Sequence, residues 1–152
     1  MAKKRATRKR TKGRIPPPKC KAILLCDQTI LEAGSGKISL IGIFANFNVQ
    51  KFPAVVAPFR AYVQLVNGIG RYEVVVEIHD LQKDKVLARA QGIGIEFADR
   101  FTTVNIMMPV PPLPLAHAGK YDLVVLANGQ EIDRQQFTAV SMEDMQRGPD
   151  NP

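Results

Sequence analysis

Between Arg71 and Asp80 the chain alternates with a period of two, with Tyr72, Val74, Val76 and Ile78 on one side and Glu73, Val75, Glu77 and His79 on the other. Successive side chains of a strand point to opposite faces, whereas a helix would scatter these acids around its girth. A half-wet strand is not stable alone; it needs paired neighbours and a second layer over its apolar side. The rest of the chain has to supply both.

It reads as a supply of short strands. Ala22 to Cys26 is a first strand running on toward Glu32, closed by the turn Ala33-Gly34-Ser35-Gly36-Lys37. Ile38 to Phe47 is a second, and Lys51 to Pro58, with two prolines, crosses between sheets or follows an edge. Arg60 to Val66 turns at Asn67-Gly68-Ile69-Gly70 into the alternating strand. Val86 to Gln91 and Thr102 to Met108 follow, separated by a loop centred on Ala98-Asp99-Arg100. Four prolines between Pro109 and Pro114 cannot donate to a ladder, so that segment reads as a connection. Lys120 to Ala127 and Glu131 to Val140 are joined by Asn128-Gly129, the strongest short hairpin signal. A short helical turn fits Ser141 to Gln146. The expected fold is all-β, an antiparallel β-sandwich of seven to eight strands over residues 22–140, with a polar C-terminal tail over 141–152.

Charge divides the chain differently. All of Lys3, Lys4, Arg5, Arg8, Lys9, Arg10, Lys12, Arg14, Lys19 and Lys21 precede Ala22, with no acid among them. The overall net charge is +7, so this segment carries +10 and the remainder −3. Such a run repels itself, and residues 1–21 are expected to be a disordered basic tail stiffened by the Pro16-Pro17-Pro18 spacer. Its ten bases are candidate polyanion-binding residues, because each can release a counterion from RNA or DNA. With about six of them on phosphates, affinity would fall roughly a thousandfold or more between 50 and 200 mM salt. The tail holds no aromatic residue, so it cannot stack on bases.

Other chemistry is sparse. Cys20 and Cys26 lack zinc-knuckle spacing and a nearby His, and read as free thiols of a reducing compartment. His79 and His117 lie 38 positions apart and read as ordinary surface histidines. Asp27, Glu32, Asp80, Glu96 and Asp99 are scattered, and no loop holds more than two acids, short of what calcium needs. Gly34-x-Gly36-Lys37 and Gly92-x-Gly94 lack the rest of a phosphate loop. Pro109 to Pro114 contains a PxxP pattern, read here as a structural crossover. No catalytic residue, metal ligand or cofactor is expected. No run approaches the roughly 20 apolar residues of a membrane span, and no secretory signal is evident, so a cytoplasmic protein is expected.

Cys26-Asp27, Gly36-Lys37-Ile38-Ser39-Leu40-Ile41-Gly42-Ile43-Phe44, Phe52-Pro53 and Gly119-Lys120-Tyr121 together resemble a family of small bacterial proteins of unknown function. The resemblance spans about Ala22 to Val140 and implies an immunoglobulin-like sandwich, without any functional residue to carry over. The closing hairpin from Gly119 to Val140 also resembles that of immunoglobulin-like domains.

These readings point to a non-enzymatic binding or scaffolding module, with an unidentified protein partner for the sandwich and a polyanion such as RNA or DNA for the tail. Two other classes stay open. One is a ligand-binding or hydrolytic sandwich with a site assembled from distant loops; the other is a structural homo-oligomer formed through an uncovered edge strand.

Overall fold

The computed structural model describes residues 15–90 and 92–148. The tail expected over 1–21 therefore lies mostly outside the described residues, as do positions 149–152 of the C-terminal tail.

Twelve strands form among the described residues: β1 (Lys19–Leu31), β2 (Ile38–Phe44), β3 (Asn46–Val49), β4 (Ala54–Val56), β5 (Phe59–Val66), β6 (Gly70–Asp80), β7 (Lys85–Arg89), β8 (Ile93–Phe97), β9 (Val104–Val110), β10 (Leu113–Leu115), β11 (Gly119–Ala127) and β12 (Gln130–Ser141). A short helix, α1 (Met142–Gln146), follows, its first turn capped by Ser141 Oγ accepting from the Asp144 N–H. Sheet A runs β2-β1-β5-β9 and sheet B runs β3-β12-β11-β6-β7. β8 pairs with β6 beyond the end of β7, and β4 pairs with β10 in a two-stranded ribbon.

The count exceeds seven to eight for physical reasons. The run from Ile38 to Phe47 does not stay in one sheet: the chain breaks at Ala45, leaving β2 in sheet A and β3 parallel to β12 in sheet B. The proline-rich connection is also partly strand. Pro109 lies in β9 opposite Arg60, and Pro114 lies in β10 opposite Val55. Both strands are edges, where a missing N–H removes no ladder bond. β8 escaped the sequence reading because Gly92-x-Gly94 looks like a turn, although Ile93, Ile95 and Phe97 alternate inward with Gly94 and Glu96 exposed.

The inward alternation of β6 is as its sequence dictates, with Tyr72, Val74, Val76 and Ile78 in the core. They meet Ile23 and Leu25 of β1, Ala61, Val63 and Leu65 of β5, and Leu123 and Val125 of β11 in one cluster between the sheets. Asn128 and Gly129 take the positive φ values, 49° and 79°, that their tight turn requires. Phe47, Phe137, Tyr121 and His117 form a line of ring contacts at 5.1, 5.6 and 5.4 Å between centroids. Contacts of this kind contribute about 0.5–1.5 kcal/mol each beyond burial.

Strand order makes the sandwich immunoglobulin-like. One sheet holds β1, β5 and β9, the other β12, β11, β6 and β7, and the Tyr121 hydroxyl at the start of β11 donates back to the His117 carbonyl at 2.6 Å. That bond is the tyrosine corner of such folds.

Candidate functional site

Of the ten candidate polyanion contacts, Lys3, Lys4, Arg5, Arg8, Lys9, Arg10, Lys12 and Arg14 lie outside the described residues. Lys19 and Lys21 do not belong to a tail. Both sit exposed on β1, which begins three residues earlier than the sequence suggests. The proline spacer is likewise held by the fold: Pro18 is buried, and the Pro16 carbonyl accepts the Tyr72 hydroxyl at 2.9 Å. Tyr72 in turn accepts the Ile69 N–H at 3.2 Å. Ile15, Pro16 and Pro17 thus line a cleft of about 770 Å³ against the Asn128-Gly129 turn. The first described residues are thus fixed by a buried phenol.

Cys20, expected at a disordered margin, lies within β1 and packs partly against the core. Burial, then the nearby Asp133 charge, pushes its thiol up to about 11. Cys26 is buried, and burial likewise raises its pKa. Neither thiol is bonded in a disulfide. Both are poor nucleophiles at neutral pH, since the thiolate is the reactive form.

The histidines are not ordinary surface residues. His117 Nε2 lies 2.6 Å from Asp80 Oδ2, and its Nδ1 lies 2.8 Å from the Ala118 carbonyl. Both ring nitrogens face acceptors, which is the arrangement of an imidazolium donating twice. The Ala118 carbonyl and the Asp80 carboxylate therefore hold the His117 pKa above its ordinary 6.5, against the opposing effect of burial. Asp80 is only 2% exposed. Burial pushes its carboxyl up, but His117 and the backbone N–H groups of Lys83 and Gln82 outweigh this and leave it below 3.8. With both ring nitrogens engaged, His117 ties the end of β6 to the loop before β11. His79 is half-buried, with Nε2 2.8 Å from Glu77 Oε2. The 37 positions separating Asp80 from His117 give no hint of the pair; the Tyr121 corner, which fixes the backbone at His117, was the usable signal.

The outer faces differ in charge. On sheet B the outward positions include Glu73, Glu77, Glu96, Asp122 and Glu131. Arg134 reaches Glu131 at 2.6 Å and Asp122 at 2.8 Å, Arg89 reaches Glu77 at 3.5 Å, and Arg71 reaches Glu96 at 3.4 Å. The Glu131 and Asp122 carboxylates raise the Arg134 pKa, and Arg134 lowers that of Glu131. On sheet A, register places Lys19, Leu24, Arg60, Tyr62, Gln64, Asn105, Met107, Ile41 and Ile43 outward, with no acid among the outward positions of its strands.

The scattered acids do not converge. Asp80 is tied to His117, Glu96 to Arg71, and Asp99 to its own loop through the Phe101 N–H and the Thr102 hydroxyl. Among the described residues no group of three or more His, Cys, Asp or Glu is placed to hold a metal ion. Adjoining clefts of about 420 and 350 Å³ near Phe59 share one carboxylate, Asp27. No helix among the described residues is long and apolar enough to cross a membrane.

The geometry defines an immunoglobulin-like β-sandwich whose polar surface is partitioned between its two sheets. The chain belongs to the family of unknown function DUF6941, whose profile matches residues 21–140. No curated protein matches the sequence. Among solved structures it is similar to the Pseudomonas fluorescens alkylpurine DNA glycosylase AlkC bound to DNA containing an abasic site analog, at 13% identity and a TM-score of 0.44 over 64% of this chain and 28% of that one. It is also similar to a CARDB domain from Pyrococcus furiosus in complex with di-metal ions, at 10% identity and a TM-score of 0.35 over 81% and 89%. An immunoglobulin-like protein from Pseudomonas aeruginosa shares 10% identity, with a TM-score of 0.34 over 84% and 100%. None of the three is close enough to carry a function across.

Proposed function

We propose that the chain is a non-enzymatic binding or scaffolding module of the cytoplasm. In this reading the sandwich is a rigid mount, and the basic arm contacts a polyanion such as RNA or DNA. The observation that carries it is the separation of charge, +10 over residues 1–21 against −3 over the rest. Two features support it: Pro16 is fixed to Tyr72, and Lys19 and Lys21 stand exposed at the start of β1. The doubly donating His117 and the high thiol pKa of Cys20 fit a fold whose polar chemistry serves structure.

Retention on an immobilised RNA or heparin matrix tests this. The full chain is compared with a full-length variant in which the eight bases from Lys3 to Arg14 are glutamine. The native chain should be held and released by salt, while the variant passes through with its circular dichroism unchanged. Equal retention of the two would reject the arm as the contact.

A further inference from the structure

Phe101 is 95% exposed, on the loop between β8 and β9. The loop is nonetheless ordered by its own bonds. Asp99 Oδ1 accepts the Phe101 N–H at 2.8 Å and the Thr102 hydroxyl at 3.0 Å, and the Thr102 N–H reaches the Asp99 carbonyl at 3.3 Å. An aromatic ring is therefore held in water by a pre-formed turn, with Arg100 exposed beside it in sequence.

Register places this loop at the arm's end of the sandwich. Phe97 at the end of β8 pairs with Gly70, Val104 at the start of β9 pairs with Leu65, and Lys19 pairs with Val66 next to the same turn. The loop leads directly into sheet A, whose outward positions bear Lys19, Arg60 and the half-buried Tyr62 but no carboxylate. Lys19, Lys21 and Arg60 form no ion pair among the described residues, whereas the cations on sheet B's face are largely paired there. The outward positions of sheet B carry five carboxylates, Asp122 buried among them, whereas those of sheet A carry none and the exposed Asp27 of β1 shares a cleft with Arg60.

We propose that the outer face of sheet A, from Phe101 to Arg60, is a binding surface for single-stranded nucleic acid, with Phe101 stacking on an unpaired base and Lys19, Lys21 and Arg60 facing phosphates. This rests on the arm reading above and adds what the arm lacks, an aromatic group able to distinguish unpaired bases from a duplex. Every base offers a stackable face, so the contact tolerates sequence but requires the base to be unpaired.

The test is fluorescence anisotropy with the full chain, a labelled 12-nucleotide RNA and the same RNA in a duplex. Phe101→Ala should weaken single-strand binding by about fivefold or more. It should leave duplex binding unchanged, and Phe101→Trp should restore the single-strand affinity. Arg60→Gln should reduce the slope of log affinity against log salt by about 0.7 for the single strand. Arg89→Gln, an equal charge change on sheet B, should leave that slope unaltered. Native affinity of Phe101→Ala for the single strand, or equal slopes for the two arginine variants, overturns this proposal. If neutralising the arm still abolishes binding in that case, the arm reading survives; a native chain that binds neither RNA overturns both.

Discussion

On the outer face of sheet B, Arg134 grips two carboxylates and Arg89 and Arg71 each hold one, so most charged groups there already have partners. On the outer face of sheet A, Ile41 and Ile43 stand 45% and 57% exposed, Tyr62 and Gln64 bond to Asn105 and each other, and Arg60 forms no ion pair among the described residues, with Asp27 the one carboxylate in its cleft. Each sheet covers the same core, and the sandwich would close with either surface chemistry. The difference shows that a face satisfied from within has little to offer a partner. An open face keeps both desolvable surface and unpaired charge.

Removing one cation from each face separates the two most sharply. Arg134→Met strands the buried Asp122 carboxylate and should cost about 1–3 kcal/mol by urea unfolding. Arg60→Met strands nothing and should fall within about 0.5 kcal/mol of native. Equal losses would mean that sheet A hides a partner for Arg60.

The pH dependence of stability should also belong to the strands of sheet B. His117 has its pKa raised by folding, so its contribution is full below about 6.5 and is lost as pH climbs through the higher folded value. Asp80 has its pKa lowered, so its contribution is full above about 3.8 and is lost as pH falls through the folded value. The pair should therefore raise the melting temperature most between those limits, with a decline on the alkaline side. His117→Asn should remove the alkaline decline and lower the plateau; an unchanged profile would deny the clamp.

The smallest effect is expected at the edge of sheet A. Ile43→Lys should change stability by no more than about 0.5 kcal/mol and leave the sedimenting mass as it was. A fall from dimer to monomer would show that a second copy already covers this edge.

Much of the fold was legible because its signals are local. The two-residue period fixed which side of β6 is buried, and Asn128-Gly129 fixed the last hairpin. What escaped depends on neighbours far along the chain. Pro109 and Pro114 are admissible in strands only because β9 and β10 turn out to be edges. Ile38 to Phe47 reads as one strand because the step at Ala45 answers to β12, almost a hundred residues later. The same holds for the site. The charge of the arm is plain in the sequence, but the docking of Pro16 on Tyr72, the Asp80–His117 clamp and the different charge of the two outer faces arise only when register brings separate strands together. Phe101 was hidden by a different cause: an exposed phenylalanine and a core phenylalanine look alike in a sequence.

The most direct measurement is a backbone amide NMR titration of the full chain with a short single-stranded RNA. The account predicts shifts at Lys19, Lys21, Arg60, Tyr62 and the loop around Phe101, with Glu77, Asp122 and Arg134 unmoved. Shifts concentrated on sheet B, or none on either face, would contradict it.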